Sequence, residues 1–160
     1  MKTVYIETSV VSYLTARPSG NLLAAAWQNA TNEWWETRRQ HFELFTSQLV
    51  LDEAGEGNPE AAQRRLCALA GIPHLPMPEP LTDLATLLLA EGALPKKAAD
   101  DALHVAVCAY HGIDYLLTWN CRHIDNAEMK PRMRSVCLLH GYTCPEICVP
   151  LELMGENDER

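Results

Sequence analysis

The sequence predicts an α/β fold in which a central parallel sheet is covered by helices on both faces. Short apolar runs rich in β-branched and aromatic residues alternate with longer segments of helical period. Their order is strand, helices, strand, helices, strand, helices, strand, helix, strand, which suits parallel pairing through crossovers. The stretch Lys96 to Ile124, KKAADDALHVAVCAYHGIDYLLTWNCRHI, shows one unit complete. An Ala-rich helix meets a His111-Gly112 stop, a buried strand runs from Tyr115 to Thr118, and Trp119-Asn120 begins a polar loop. In open α/β sheets the binding crevice lies beyond the carboxyl ends of the strands, which puts Thr118 and Asn120 near it.

A chain of 160 residues, 48% hydrophobic and 21% charged, is expected to fold as one domain over residues 1–154, with 155–160 a frayed tail. No apolar run reaches membrane-spanning length, and Met1-Lys2 leads straight into a strand-like segment instead of a signal peptide. The expectation is a cytoplasmic protein without a membrane partner. The six cysteines show no CxxC spacing, as expected of free thiols in a reducing compartment. Cys137, His140, Cys144 and Cys148 match no common zinc module. A net charge of -8 and a pI near 5.2 argue against non-specific coating of nucleic acid. They leave a nuclease open, because a metal-dependent site concentrates carboxylates and lets the cation meet the phosphate.

Thr3 to Ile6 is the first strand, ending in Glu7-Thr8-Ser9 before an apolar helical start. Thr8 or Ser9 can cap that helix, leaving Glu7 at the strand's carboxyl end. Glu7 is either a surface acid near a helix N-terminus or a site residue on the same edge as Asn120. After the loop Arg17 to Asn21, Leu22 to Phe45 reads as mostly helical with a break near Thr31-Asn32. Its aromatics Trp27, Trp34, Trp35, Phe42 and Phe45 suit a core or subunit interface, or stacking platforms for bases. Thr46 to Gly57 turns from a strand end into a helix, on which Glu53 leans toward the side of Leu49 and Val50 while Asp52 and Glu56 face solvent. Glu60 to Ala70 is the next helix, Ile72 to Met77 an edge strand or extended segment, and Leu81 to Glu91 an amphipathic helix. Asn126 to His140 is the last helix and Glu146 to Val149 the last strand.

On the helix that Pro95 opens, Ala98, Asp101, Val105 and Cys108 share one stripe, and Lys97, Asp100, His104 and His111 another. Only Asp101 puts a carboxylate on an apolar stripe. Such a carboxylate is either paired structurally or held for a metal or substrate. Glu7, Glu53 and Asp101, with Asn120 as a neutral oxygen donor, make a set of oxygen ligands suited to Mg2+ or Mn2+, and such a cluster points to phosphate-ester chemistry.

The ordered fragments YIETSV, SQLVLDEA and DALHVAVCAYHGIDYLLTWN resemble the PIN domain of bacterial toxin-antitoxin systems, the VapC-like ribonucleases, over roughly Met1 to Ile147. The resemblance implies a three-layer α/β/α fold, Mg2+ or Mn2+ at an acidic site, endoribonuclease activity on RNA, homodimerisation and a small antitoxin partner. It places the family's acids on Glu7, Glu53 and Asp101, its hydroxyl on Thr8 or Ser9, and its polar position after the penultimate strand on Asn120. The family carries Asp more often where this chain has Glu7. Many members have a further Asp where this chain has Cys121, Arg122 and His123, and Asp125 is the next carboxylate along. The mechanism implied is in-line attack of an activated water on a phosphodiester, with Arg122 or Lys96 available to hold the flanking strand. The alternative is a PIN-fold binding or regulatory module whose metal site has weakened. A phosphatase or a nucleotide-binding flavodoxin-like protein fits less well, for want of a DxD pair and a Gly-rich loop after the first strand.

Overall fold

A computed structural model describes residues 1–156. The other residues of the tail expected to fray lie outside the described residues. Five strands, β1 (Thr3–Ile6), β2 (Glu43–Ser47), β3 (His74–Leu75), β4 (Tyr115–Leu117) and β5 (Glu146–Cys148), form one parallel sheet in the order β3-β2-β1-β4-β5. The helices are α1 (Thr8–Thr15), α2 (Leu22–Thr37), α3 (Gln48–Ala54), α4 (Pro59–Leu69), α5 (Glu79–Ala90), α6 (Ala99–His111) and α7 (Lys130–Leu139). They fall into two packed groups, α1 with α2, α3 and α4, and α5 with α6 and α7. This is the three-layer α/β/α arrangement that the alternation of strands and helices predicts.

The order of the strands fixes where a site can form. From β1 the chain runs outward to β2 and β3, then crosses back to pair β4 on the other side of β1. The topological switch therefore falls between β1 and β4, and their carboxyl ends open the crevice. Val4, Tyr5 and Ile6 are all fully buried, as a central strand sandwiched between helical layers requires. Thr3 and Asp114 lock the other end of the pair, the Asp114 carboxylate accepting from the Thr3 backbone N–H and the Thr3 hydroxyl accepting from the Asp114 backbone N–H, each at 2.9 Å.

Three boundaries differ from expectation. The break near Thr31-Asn32 is absent, because both side chains fold back onto their own helix: the Thr31 hydroxyl donates to the Trp27 carbonyl at 2.6 Å and the Asn32 amide to the Gln28 carbonyl at 2.8 Å. Glu43 to Phe45 is strand instead of helix. A short 3-10 turn at Arg39–His41 ends the helical run, and Glu43, Leu44 and Phe45 pair with Thr3, Val4 and Tyr5. The last helix starts at Lys130 instead of Asn126, since the Asn126 side chain accepts from the Glu128 backbone N–H at 2.9 Å and holds a turn there. The stop at Gly112 is as expected, with the glycine in the left-handed region (φ 66°).

All six cysteines are free thiols. Cys137, His140, Cys144 and Cys148 do not converge on a metal position among the described residues, and His140 is engaged by Glu91 at 3.1 Å.

Candidate metal centre

Glu7 follows β1 directly and occupies the N-cap position of α1 with extended backbone (φ -78°, ψ 154°). Neither Thr8 nor Ser9 caps that helix, because their hydroxyls serve carboxylates instead. Thr8 Oγ1 donates to Glu53 Oε1 at 2.6 Å, and Ser9 Oγ donates to Glu7 Oε1. Thr118, fully buried at the end of β4, donates to the same Glu7 oxygen at 2.6 Å and accepts from the Asn120 backbone N–H at 2.9 Å. The Trp119 backbone N–H donates to Ser9 Oγ at 2.8 Å, closing a hydroxyl bridge across the switch point.

Glu53 reaches the same place from α3, whose first turn is capped by Ser47 at the end of β2. His104 reaches it from α6. The imidazole is fully buried, with Nε2 at 2.7 Å from Glu53 Oε1 and 3.9 Å from Glu7 Oε2. Its Nδ1 lies 2.8 Å from the Tyr5 hydroxyl, which in turn lies 2.7 Å from Ser47 Oγ. Glu7, Glu53 and His104 each bring one ligand atom within 4.8 Å of the other two.

Asp101, one turn before His104, is not part of this triplet: its carboxylate does not come within 4.8 Å of all three ligand atoms, although its negative charge acts on the His104 ring. Its Oδ1 accepts from the Asn120 side-chain amide at 3.1 Å, and its Oδ2 pairs with His123 Nδ1 at 2.9 Å. Asn120 Oδ1 in turn accepts from the His123 backbone N–H at 3.1 Å, so the loop after β4 is folded around the Asp101 carboxylate. Arg122 is exposed on that loop, its carbonyl tied to Asn126 at 2.8 Å. Asp125 is paired with Lys130. Asp100 is exposed at the start of α6, as its place on the wheel suggests.

Protonation follows from these contacts. Burial alone would raise the Glu53 carboxyl, but hydrogen bonding to His104, the charge of His104 and the Thr8 hydroxyl outweigh it and hold Glu53 below the usual carboxylate range. Burial alone would lower His104, but the hydrogen bond to Glu53 and the negative charges of Glu7, Glu53 and Asp101 outweigh it and raise the imidazole above its ordinary value. Burial pushes the Tyr5 phenol well up, so it stays protonated beside the ring.

The donor set fits a divalent cation. Glu7 is 6% exposed, and among the described residues both hydroxyls that reach it go to Oε1, while Oε2 lies 3.9 Å from His104 Nε2. Glu7 and Glu53 could hold the ion through carboxylate oxygens, with Asp101 and Asn120 adjacent as further oxygen donors.

Six of the seven residues singled out in the sequence, Glu7, Thr8, Ser9, Glu53, Asp101 and Asn120, thus meet at one edge of the sheet. Four others join them, none of them singled out from the sequence as a site residue. The helical wheel puts His104 on a polar stripe, but the run Ala102 to Ala109 is buried at all positions except Leu103, so the wheel has no solvent face there. That apolar run around a lone histidine was the available signal. Thr118 was placed near the crevice without a role. Tyr5 and Ser47 gave no signal beyond lying in strands.

The PIN domain family model matches residues 4–128, and the chain belongs to that family. Among solved structures, the chain is similar to one in the crystal structure of VapBC2 from Rickettsia felis bound to a DNA fragment from their promoter. The TM-score is 0.58 and the identity 15%, over 92% of this chain and 98% of that one. No curated protein sequence matches the chain. Among the described residues no helix is long and apolar enough to cross a membrane.

Proposed function

We propose that residues 1–154 act as one domain, a divalent-metal-dependent endoribonuclease of the VapC-like kind that hydrolyses RNA phosphodiesters. The observation that carries this reading is the convergence of Glu7 and Glu53 at the switch point, with Asp101 and Asn120 beside them. Membership of the PIN family supports it, as does the fold shared with a VapBC2 structure.

In this reading Glu7, Glu53 and Asp101 would hold Mg2+ or Mn2+. When bound, such a cation would supply a lowered pKa for a water and a counter-charge for the phosphoryl oxygens. The protein's own groups supply position. Thr118, Ser9 and Thr8 fix the two glutamates by donating to one oxygen of each, and among the described residues their other oxygens accept no hydrogen bond. Asn120 orients Asp101 and draws the loop over it, and exposed Arg122 offers a cation for a flanking phosphate. A cytoplasmic homodimer held in check by a small antitoxin completes the proposal.

The test is cleavage of single-stranded RNA with and without EDTA. Cleavage that EDTA abolishes and added Mg2+ or Mn2+ restores, and that Glu7→Gln and Glu53→Gln both lose, is the expected result. Cleavage that survives EDTA, or variants as active as the parent, rejects the proposal.

One feature favours a second reading, a binding or regulatory module with a weakened metal site. Glu53 is already hydrogen-bonded to His104, and Asp101 to Asn120 and His123, so both acids have internal partners. In that case divalent cations would bind no better to the parent protein than to Glu7→Gln or Asp101→Asn.

A further inference from the structure

The imidazole in the triplet carries a consequence for which cation the site takes. Nε2 of His104 points between the carboxylates, at 2.7 Å from Glu53 Oε1 and 3.9 Å from Glu7 Oε2. The other ring nitrogen is capped by the Tyr5 hydroxyl at 2.8 Å, and Tyr5 is anchored by Ser47 at 2.7 Å. A histidine that ligates a metal is held this way: one nitrogen is fixed by a hydrogen-bond partner that sets the ring's orientation, and the other faces the ion. All three of Tyr5, Ser47 and His104 are fully buried, so the ring has no alternative rotamer in solvent.

An independent observation is the second oxygen of Glu7. Its side chain is 7% exposed, and both hydroxyl donors, Ser9 and Thr118, go to Oε1. Among the described residues Oε2 accepts no hydrogen bond, and its near cationic neighbour is His104 Nε2 at 3.9 Å, beyond hydrogen-bond reach. A carboxylate oxygen without a hydrogen bond, on a side chain only 7% exposed and beside an imidazole nitrogen and a second acid, asks for a cation between them.

We infer that His104 is itself a ligand of the metal centre, through Nε2, which releases to solvent the proton it shares with Glu53 in the metal-free protein, and that the site therefore selects a first-row transition ion such as Mn2+ over Mg2+. This rests on the metal-dependent reading above. Two carboxylates alone would suit either ion. An imidazole nitrogen shifts the balance, because Mg2+ takes oxygen ligands and sheds its waters reluctantly, whereas divalent transition ions accept nitrogen readily. Tyr5 is a positioning residue, holding the ring without touching the ion.

The experiment is Mn2+ and Mg2+ binding by calorimetry on the full chain, together with pulsed electron paramagnetic resonance of the Mn2+ complex carrying isotope-labelled histidine. Expected are Mn2+ affinity at least about tenfold above Mg2+ affinity and a directly coordinated histidine nitrogen in the spectrum. That nitrogen signal disappears in His104→Gln. In Tyr5→Phe it persists, with Mn2+ affinity about tenfold lower. His104→Gln is checked for folding by circular dichroism; should it not fold, the labelled parent protein decides alone. Mn2+ binding that Glu7→Gln abolishes, but with no histidine nitrogen on the ion, overturns the role of His104 and leaves the metal-dependent reading standing. No Mn2+ binding by the parent overturns both.

Discussion

Thr118→Val removes one oxygen while keeping the shape of the side chain, and it tests how the first and fourth strands are joined at the site. Thr118 is fully buried and its hydroxyl makes two bonds, donating to Glu7 Oε1 at 2.6 Å and accepting from the Asn120 N–H at 2.9 Å. The first is charge-assisted, and losing it costs about 1.5–3 kcal/mol when no water can take its place. The second is a neutral bond from the backbone N–H of a half-buried loop residue, worth about 0.5–1.5 kcal/mol. The extra methyl of valine returns about 0.8 kcal/mol at best. The net loss is then about 2.5 kcal/mol, or about 5–10 °C in Tm for a chain of this size. Thr118→Ser keeps the hydroxyl and loses one methyl, at about 1 kcal/mol. Urea denaturation of the parent and both variants, in chelator, gives the comparison. Valine should be the more destabilising of the two although it fills the space better. If the valine variant unfolds at the parent's midpoint, or later than the serine variant, the hydroxyl is not what anchors Glu7.

Two further predictions concern the pair at the centre and the core. The Glu53 pKa is lowered in the folded chain, so its share of stability is present above the unfolded value of 4.5 and lost as pH falls through the folded value. The His104 pKa is raised, so its share is fully present below the unfolded value of 6.5 and lost as pH rises through the folded value. Both describe one ion pair, counted once, and the metal-free protein should be most strongly supported by it between pH 4.5 and 6.5. Thermal melts in EDTA across pH should show that rise and fall, and Glu53→Gln should flatten it. An unchanged profile in the variant would assign the pH dependence to other groups. Trp34 is fully buried against Phe42, with its indole N–H donating to the Leu153 carbonyl at 3.2 Å. Trp34→Ala should cost about 3–5 kcal/mol by denaturant unfolding, and a loss under about 1 kcal/mol would contradict the packing described.

Much of the fold was legible because strand order and helix stops leave local marks. The alternation of elements predicted a parallel sheet, and Gly112 after His111 marked the end of α6 through its left-handed backbone. The first half of β2 was not legible. Glu43, Leu44 and Phe45 follow an aromatic helix with no Gly or Pro between, and their strand character comes from pairing with β1, which is remote in sequence. The site divides in the same way. Glu7 and Glu53 could be read from their places beside a strand end and on an inward helical face. His104 could not, since a helical wheel assumes a wet side that α6 lacks over most of its length. A hydroxyl at Thr8 or Ser9 reads as a cap because capping is its commonest use next to a helix start. Only the approach of Glu53 from another segment redirects Thr8.

The most direct test of the central claim is an anomalous difference map from crystals of the protein grown with Mn2+. A peak bridging Glu7 Oε2, Glu53 and His104 Nε2, and absent in Glu7→Gln crystals, is the result the account predicts. A map with no density there, while the two glutamates keep their positions, would contradict it.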